Sequence, residues 1–250
     1  MLDPRFLSRP LAHRGLHNIA DARPENSVAA FQAAIDAGYG IELDLQSTKD
    51  GQAVVFHDYD LQRLMGRTGA VQQKTLTQMQ EIPLLGGEKG APSLETVLEL
   101  VDGQVPLLIE IKDQDLRLGP NVGPLEQATT DALENYQGPV AVMSFNPHSV
   151  AHMQRIAPQV ARGLVTCDFM RDDWPLVPAQ RRDDLVNIPD FEATKSCFIS
   201  HQWDDLSAPA VRKIKESGHP ILCWTIRSAE DEAQARKVAD NVTFEGYLPA

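Results

Sequence analysis

Cysteine is scarce. Cys167, Cys197 and Cys223 stand far apart with no Cys-x-x-Cys spacing, which argues against a disulfide-framed domain or a thiolate zinc site. They read as small apolar residues in a reducing compartment. Positive charge is also in deficit, with 23 Lys and Arg against 35 Asp and Glu and a net charge of −12. Such a chain repels a phosphate polymer at long range, so no nucleic-acid partner is expected, and any phosphate site must be a local positive pocket. Long apolar runs are missing as well, since none approaches the roughly 18 residues that cross a bilayer. The opening MLDPRFLSRP lacks the apolar core of a secretory signal. A cytoplasmic protein without stable membrane insertion is therefore expected. A nucleotide P-loop is absent too, because GRTG and GGEKG lack the Gly-Lys-Ser/Thr ending and the strand–loop–helix context.

What is present is an alternation. Short apolar segments read as strands at Leu11–His13, Gly40–Gln46, Pro106–Lys112, Pro139–Phe145, Arg162–Thr166, Ser196–His201, Pro220–Ile226 and Asn241–Tyr247, with a further short run at Val54–His57. Helices are read at Glu25–Ala37, Ser93–Val101, Gly123–Tyr136, Pro147–Ala157, Ala208–Ser217 and Ser228–Ala239. Runs such as PLLIEI and PVAVM are apolar on both faces, as in strands covered on both sides. The pattern predicts a single-domain α/β fold, a parallel (β/α)₈ TIM barrel, with an open doubly wound sheet as its competitor. Tyr59–Pro92 breaks the repeat and is expected to be a small insertion over the active site, after the second strand region.

Charge inside strands is the informative feature. In IELDL, Glu42 and Asp44 are two apart and share one strand face, while Ile41, Leu43 and Leu45 take the other. Two acids facing a barrel interior need a cation, and a hard divalent ion, Mg²⁺ or Ca²⁺, suits oxygen ligands; salt bridges to Arg or Lys are the simpler alternative. In PLLIEIK, Glu110 and Lys112 share a face in the same way, so Glu110 can complete a three-carboxylate set and Lys112 can meet an anionic substrate. His13 and His57 each close an apolar run, at the edge where barrel active sites assemble, and as a pair could serve as general base and general acid. Arg14 offers a forked donor for phosphate oxygens, and Gly15 allows close backbone approach. Together these residues point to metal-assisted phosphodiester cleavage.

Glu25 and Asn26 read as caps of the first helix, or as groups that orient site residues. His201, Trp203 and Trp224 fall at strand ends, where each is either core packing or a substrate wall, Trp224 as an apolar shelf for glycerol or a head group. Arg212, Lys213 and Lys215 read as a solvated helix face.

AHRG, then RPENSVAAFQAAIDAG, then IELDLQSTKDGQAVVFHDYDLQR, in that order over Ala12–Arg63, resemble the signature of the glycerophosphodiester phosphodiesterase family. PSLETVLEL, IEIK, SFNP and Trp224-Thr225 extend the likeness over most of the chain. The resemblance implies a (β/α)₈ barrel that hydrolyses glycerophosphodiesters to an alcohol and glycerol 3-phosphate. It places His13 and His57 as the catalytic pair, Glu42, Asp44 and Glu110 as metal ligands, and Arg14 and Lys112 at phosphate. It also implies that the substrate's own glycerol hydroxyl can attack phosphorus first, giving a cyclic phosphate. Arg227 stands where the family usually has Asn, and Phe244-Glu245-Gly246-Tyr247-Leu248-Pro249 replaces a Thr-Asp-aromatic-Pro ending. Those departures bear on the substrate, and Glu245 is a candidate replacement for the missing acid. Lysophospholipid and glycerophosphoinositol substrates, and a non-catalytic phosphate-ligand barrel, stay open as alternatives. The oligomeric state is not legible here.

Overall fold

The alternation resolves into nine strands in the computed structural model, which describes residues 1–249. They are β1 (Leu11–Ala12), β2 (Gly40–Ser47), β3 (Ala53–Val55), β4 (Leu107–Ile111), β5 (Val140–Ser144), β6 (Ala161–Thr166), β7 (Phe198–Gln202), β8 (Ile221–Ile226) and β9 (Asn241–Phe244). All but β3 pair in parallel, and β1 joins both β2 and β9, so the sheet closes into an eight-stranded barrel and the open-sheet alternative falls away. The helices are α1 (Val28–Ala37), α2 (Gln62–Met65), α3 (Leu76–Glu81), α4 (Leu94–Val101), α5 (Pro124–Leu133), α6 (Pro147–Ile156), α7 (Ala179–Leu185), α8 (Pro209–Glu216) and α9 (Ala229–Ala235). Among the described residues no helix is long and apolar enough to cross a membrane.

The two-residue period of each strand sorts the core into two layers. Ile41, Leu43 and Leu45 of β2 and Leu107, Ile109 and Ile111 of β4 face outward, into one apolar core with Phe31, Val97, Leu98 and Val101 of the helices. Leu11, Leu108, Ala141, Val165, Phe198 and Leu222 fill the interior instead. Gly163 makes room there, because a Cβ at that position would meet the Phe198 ring at 2.5–2.6 Å. Phe6 plugs the lower end from an N-terminal 3₁₀ turn, where Asn241 Nδ2 donates to the Phe6 and Arg9 carbonyls at 2.7 and 2.6 Å. The lower interior is thus apolar and packed, and charge is confined to the upper mouth, where all eight parallel strands end.

The structure adds to or departs from the sequence reading in three places. Val54–His57 is not a stave of the barrel. β3 turns back antiparallel on β2, pairing Leu45 with Val55 and Ser47 with Ala53, and delivers His57 beside the mouth from a returning hairpin. The first helix begins at Val28 and not at Glu25, because Ser27 is its cap, its Oγ accepting from Ala30 N at 3.2 Å. Helix α7 carries one buried residue, Leu185, on a largely charged sequence, so no apolar stripe announced it. The stretch that follows β3 folds α2 and α3 around an apolar cluster of its own, which includes Phe56, Leu61, Met65, Val71, Met79 and Leu84.

Candidate active site

Strand alternation aims Glu42 and Asp44 inward from β2, at 2% and 1% exposure, and the parallel register sets Glu110 of β4 directly opposite Asp44. One carboxylate oxygen from each of the three residues lies within 4.8 Å of the others. Counter-charge reaches two of them. Lys112 Nζ is 2.9 Å from Glu110 Oε1 and 3.4 Å from Asp44 Oδ1. Arg14 Nε stands 3.3 Å from Asp44 Oδ2, an ion pair without hydrogen-bond alignment. Asn26 Nδ2 donates to Asp44 Oδ2 at 2.9 Å, so Asn26 orients this carboxylate and does not cap the helix.

Glu42 differs. It accepts the Arg14 backbone N–H at 3.0 Å, and among the described residues no side-chain cation stands within 4.0 Å of it. Burial, then the charges of Asp44 and Glu110, push its carboxyl well above the usual carboxylate range. Asp44 is equally buried, yet Lys112, His57, Arg14 and His13 together hold its carboxyl well below that range. Burial opposes the Lys112 charge, but Glu110 and Asp44 outweigh it and keep the ammonium protonated.

The His-Arg-Gly turn after β1 is tight. Arg14 and Gly15 are both left-handed, at φ 56° and 79°, and that bend is what points Arg14 N at Glu42. Arg14 Nη1 continues to Glu25 Oε1 at 2.7 Å, and Glu25 also takes Arg63 at 2.7 and 2.9 Å. A Cβ on Gly15 would lie 2.9 Å from the Ala30 carbonyl carbon and from Phe31 Cδ1. Gly15→Ala is therefore expected to destabilise the chain by about 1–3 kcal/mol, from clash and left-handed strain together. At roughly 2–4 °C per kcal/mol for this length, a thermal melt measures it, and an unchanged midpoint would show that the turn relaxes without cost.

Both histidines are oriented alike. His13 Nδ1 is 2.6 Å from Glu245 Oε2, and His57 Nδ1 is 2.7 Å from Asp58 Oδ1. Each Nε2 has no partner among the described residues, and both side chains line the same cavity. Burial pushes the His13 imidazole down, and Glu245 only partly offsets this. We read a neutral ring whose Nδ1–H donates to an ionised Glu245. Glu245 is held well below the carboxylate range despite its burial, by its hydrogen bond with His13, by His17 Nε2 at 3.5 Å and by the Arg227 charge. Arg227 Nε and Nη2 stand 2.8 and 2.7 Å from its other oxygen. Asp58 is tied down by Arg63, whose Nε donates to Oδ2 at 2.8 Å and whose Nη2 donates at 2.7 Å to Oδ1, the oxygen that also meets His57.

His13, Arg14, Glu42, His57, Glu110, Lys112 and Trp224 line one cavity of about 170 Å³ at the strand C-termini, together with Arg227. Asp44 lies outside the lining and pairs with Arg14 and Lys112, which form part of it. His201 is not part of this cavity. Its ring is 1% exposed, with Nδ1 2.8 Å from Thr166 Oγ1 and Nε2 3.2 Å from Asp205, and burial pushes it down. Sequence reasoning passed over Asp58 and Arg63. Only the His-Asp adjacency hinted at the first, and the second reaches Glu25 across 38 residues of chain.

Comparisons with known proteins give the family and the fold. A model of the glycerophosphoryl diester phosphodiesterase family matches residues 13–241. A glycerophosphodiester phosphodiesterase of Caldanaerobacter subterraneus subsp. tengcongensis is 30% identical over 233 residues, covering 88% of this chain and 86% of that protein. A protein of the same name from Bacillus altitudinis is 33% identical over 175 residues, 66% of this chain and 69% of that one. In fold, an Oleispira antarctica phosphodiesterase solved with the product sn-glycerol-3-phosphate matches at TM-score 0.75 and 22% identity, over 96% of this chain and 93% of that one. Since the family match runs from the first histidine of the mouth to the start of the last stave, the chain belongs to the glycerophosphoryl diester phosphodiesterase family of hydrolases.

Proposed function

We propose that this hydrolase cleaves glycerophosphodiesters to an alcohol and glycerol 3-phosphate, with a divalent cation, Mg²⁺ or Ca²⁺, held by Glu42, Asp44 and Glu110. The observation that carries the metal is Glu42, buried beside two further carboxylates with no side-chain cation of its own. An ion between the three would supply the missing charge, and an all-oxygen donor set suits the hard cations. The three donor oxygens lie within 4.8 Å of one another, so small side-chain shifts would let one hard cation touch all three. When bound, such an ion neutralises charge on the phosphoryl oxygens as it builds.

The chain's own residues do the rest. Arg14 and Lys112 line the cavity beside the acids and grip the anionic phosphoryl oxygens. His13 and His57, their Nδ1 atoms held by carboxylates, present Nε2 to the cavity. One takes the proton of the attacking hydroxyl, and the other donates a proton to the leaving alcohol as its P–O bond breaks. The attacking group in this reading is the substrate's glycerol 2-hydroxyl, giving a cyclic phosphate that water then opens. Trp224 walls the glycerol and head-group side. Residues 59–92 are an insertion within one domain, tied to the mouth through Arg63, Glu25 and Asp58. The three free thiols fit a cytoplasmic site of action.

The test is release of glycerol 3-phosphate from glycerophosphocholine by the purified chain with Mg²⁺ or Ca²⁺, read by coupled oxidation of the product. Phosphorus NMR of early time points shows the cyclic phosphate if the glycerol hydroxyl attacks. No release from glycerophosphocholine, glycerophosphoethanolamine or glycerophosphoinositol overturns the reading.

A further inference from the structure

The catalytic cavity does not end at Trp224. A second cavity of about 400 Å³ adjoins it and shares Trp224, Thr225 and Arg227 with it. All three tryptophans of the chain, Trp174, Trp203 and Trp224, line this second space. They come from the segment between β6 and α7, the turn after β7, and β8. Each is only half-buried, so part of every indole stays open although these are the largest apolar side chains available for a core. Two of them are held by named contacts. Trp224 Nε1 donates to the Ser200 carbonyl at 3.0 Å, and Trp174 and Trp224 both pack on Phe145, with ring centres 4.8 and 5.5 Å away.

Two carboxylates, Asp173 and Asp204, line the same cavity. Among the described residues neither has an ion-pair partner within 4.0 Å. The one cation in the lining, Arg227, already has Glu245 at 2.7 Å. Open indoles attract a cation over their faces, and unpaired carboxylates add to that pull. The same carboxylates repel an anionic head group and make a poor bed for an acyl chain.

We propose that this second cavity receives the leaving alcohol and selects diesters whose alcohol carries an ammonium group, a quaternary one best of all. The proposal rests on the diester hydrolysis argued above. Its test pairs glycerophosphocholine with the ester of 3,3-dimethylbutanol, the same shape with carbon in place of the charged nitrogen. The wild-type chain is expected to prefer the charged ester by about 10-fold or more in kcat/KM. In Trp203→Leu and in the double variant Asp173→Asn with Asp204→Asn that ratio should fall toward one. A second arm needs no turnover: all three fluorophores line the cavity, so tetramethylammonium should quench tryptophan emission saturably, with about 10-fold weaker affinity in the double variant. Circular dichroism melts confirm that the variants fold. Equal turnover of the two wild-type esters, or quenching that never saturates, overturns the ammonium pocket and leaves diester hydrolysis standing. Saturable quenching with no hydrolysis of either ester overturns the catalytic reading and leaves the pocket standing.

Discussion

Alanine at His13 or at His57 is expected to lower kcat on glycerophosphodiesters by about 10²–10⁴-fold, with KM changed far less. Each ring has Nδ1 against a carboxylate and Nε2 unpaired toward the cavity, so each is built to handle one proton of the reacting group and little else. The effect should not come from unfolding. Without His13, Glu245 keeps Arg227, and without His57, Asp58 keeps Arg63, so no carboxylate is stranded. The double variant should be scarcely worse than the weaker single one, because two groups serving one proton relay are not additive. Glu245→Gln and Asp58→Asn leave the rings in place but loosen their orientation, and about 10-fold losses are expected. Steady-state rates with matched melts decide the matter. Wild-type turnover in either alanine variant removes the acid–base pair.

These residues were legible to different degrees, for physical reasons. Glu42, Asp44, Glu110 and Lys112 could be read because a strand has a period of two and their neighbours are apolar, so polarity and direction coincide in the sequence. The barrel followed from the alternation, though its closure depends on β1 meeting β9 across more than 200 residues, which no local pattern carries. His57 reaches the rim from an antiparallel strand, which Val54–Val55 does not announce, because the run looks the same whether it lies with its neighbours or against them. Asn26 has the composition of a cap, and its bond to Asp44 appears only once α1 lies beside β2. Glu25, Asp58 and Arg63 form one ion-pair network from distant segments. Charge pairing of that kind leaves no periodic trace, whereas Glu245 was noticed because it broke an expected ending.

Removing divalent cations with EDTA is expected to reduce turnover by about 10²-fold or more, restored by Mg²⁺ or Ca²⁺. The same site predicts a signature in stability. The Glu42 carboxyl is raised in the folded state by burial and by Asp44 and Glu110, so the fold binds this proton more tightly than the unfolded chain, whose value is about 4.3. As pH climbs above about 4.3 the unfolded chain gives up the proton first, and through this group metal-free stability falls toward neutrality. Asp44, lowered in the fold, acts the other way: its contribution is present above about 3.9 and is lost only in acid. Glu42→Gln keeps an oxygen for the Arg14 N–H and deletes the unmatched charge. The metal-free variant should therefore melt higher than metal-free wild type at pH 7, by about 2–4 °C for each kcal/mol relieved. It should also gain less from added cation and turn over far more slowly. Scanning calorimetry of both chains in chelator, from pH 5 to pH 8, reads the sign directly. A Glu42→Gln chain that melts below wild type in chelator would mean that Arg14 and Lys112 already balance the three acids, and the physical case for an ion at this mouth would be gone.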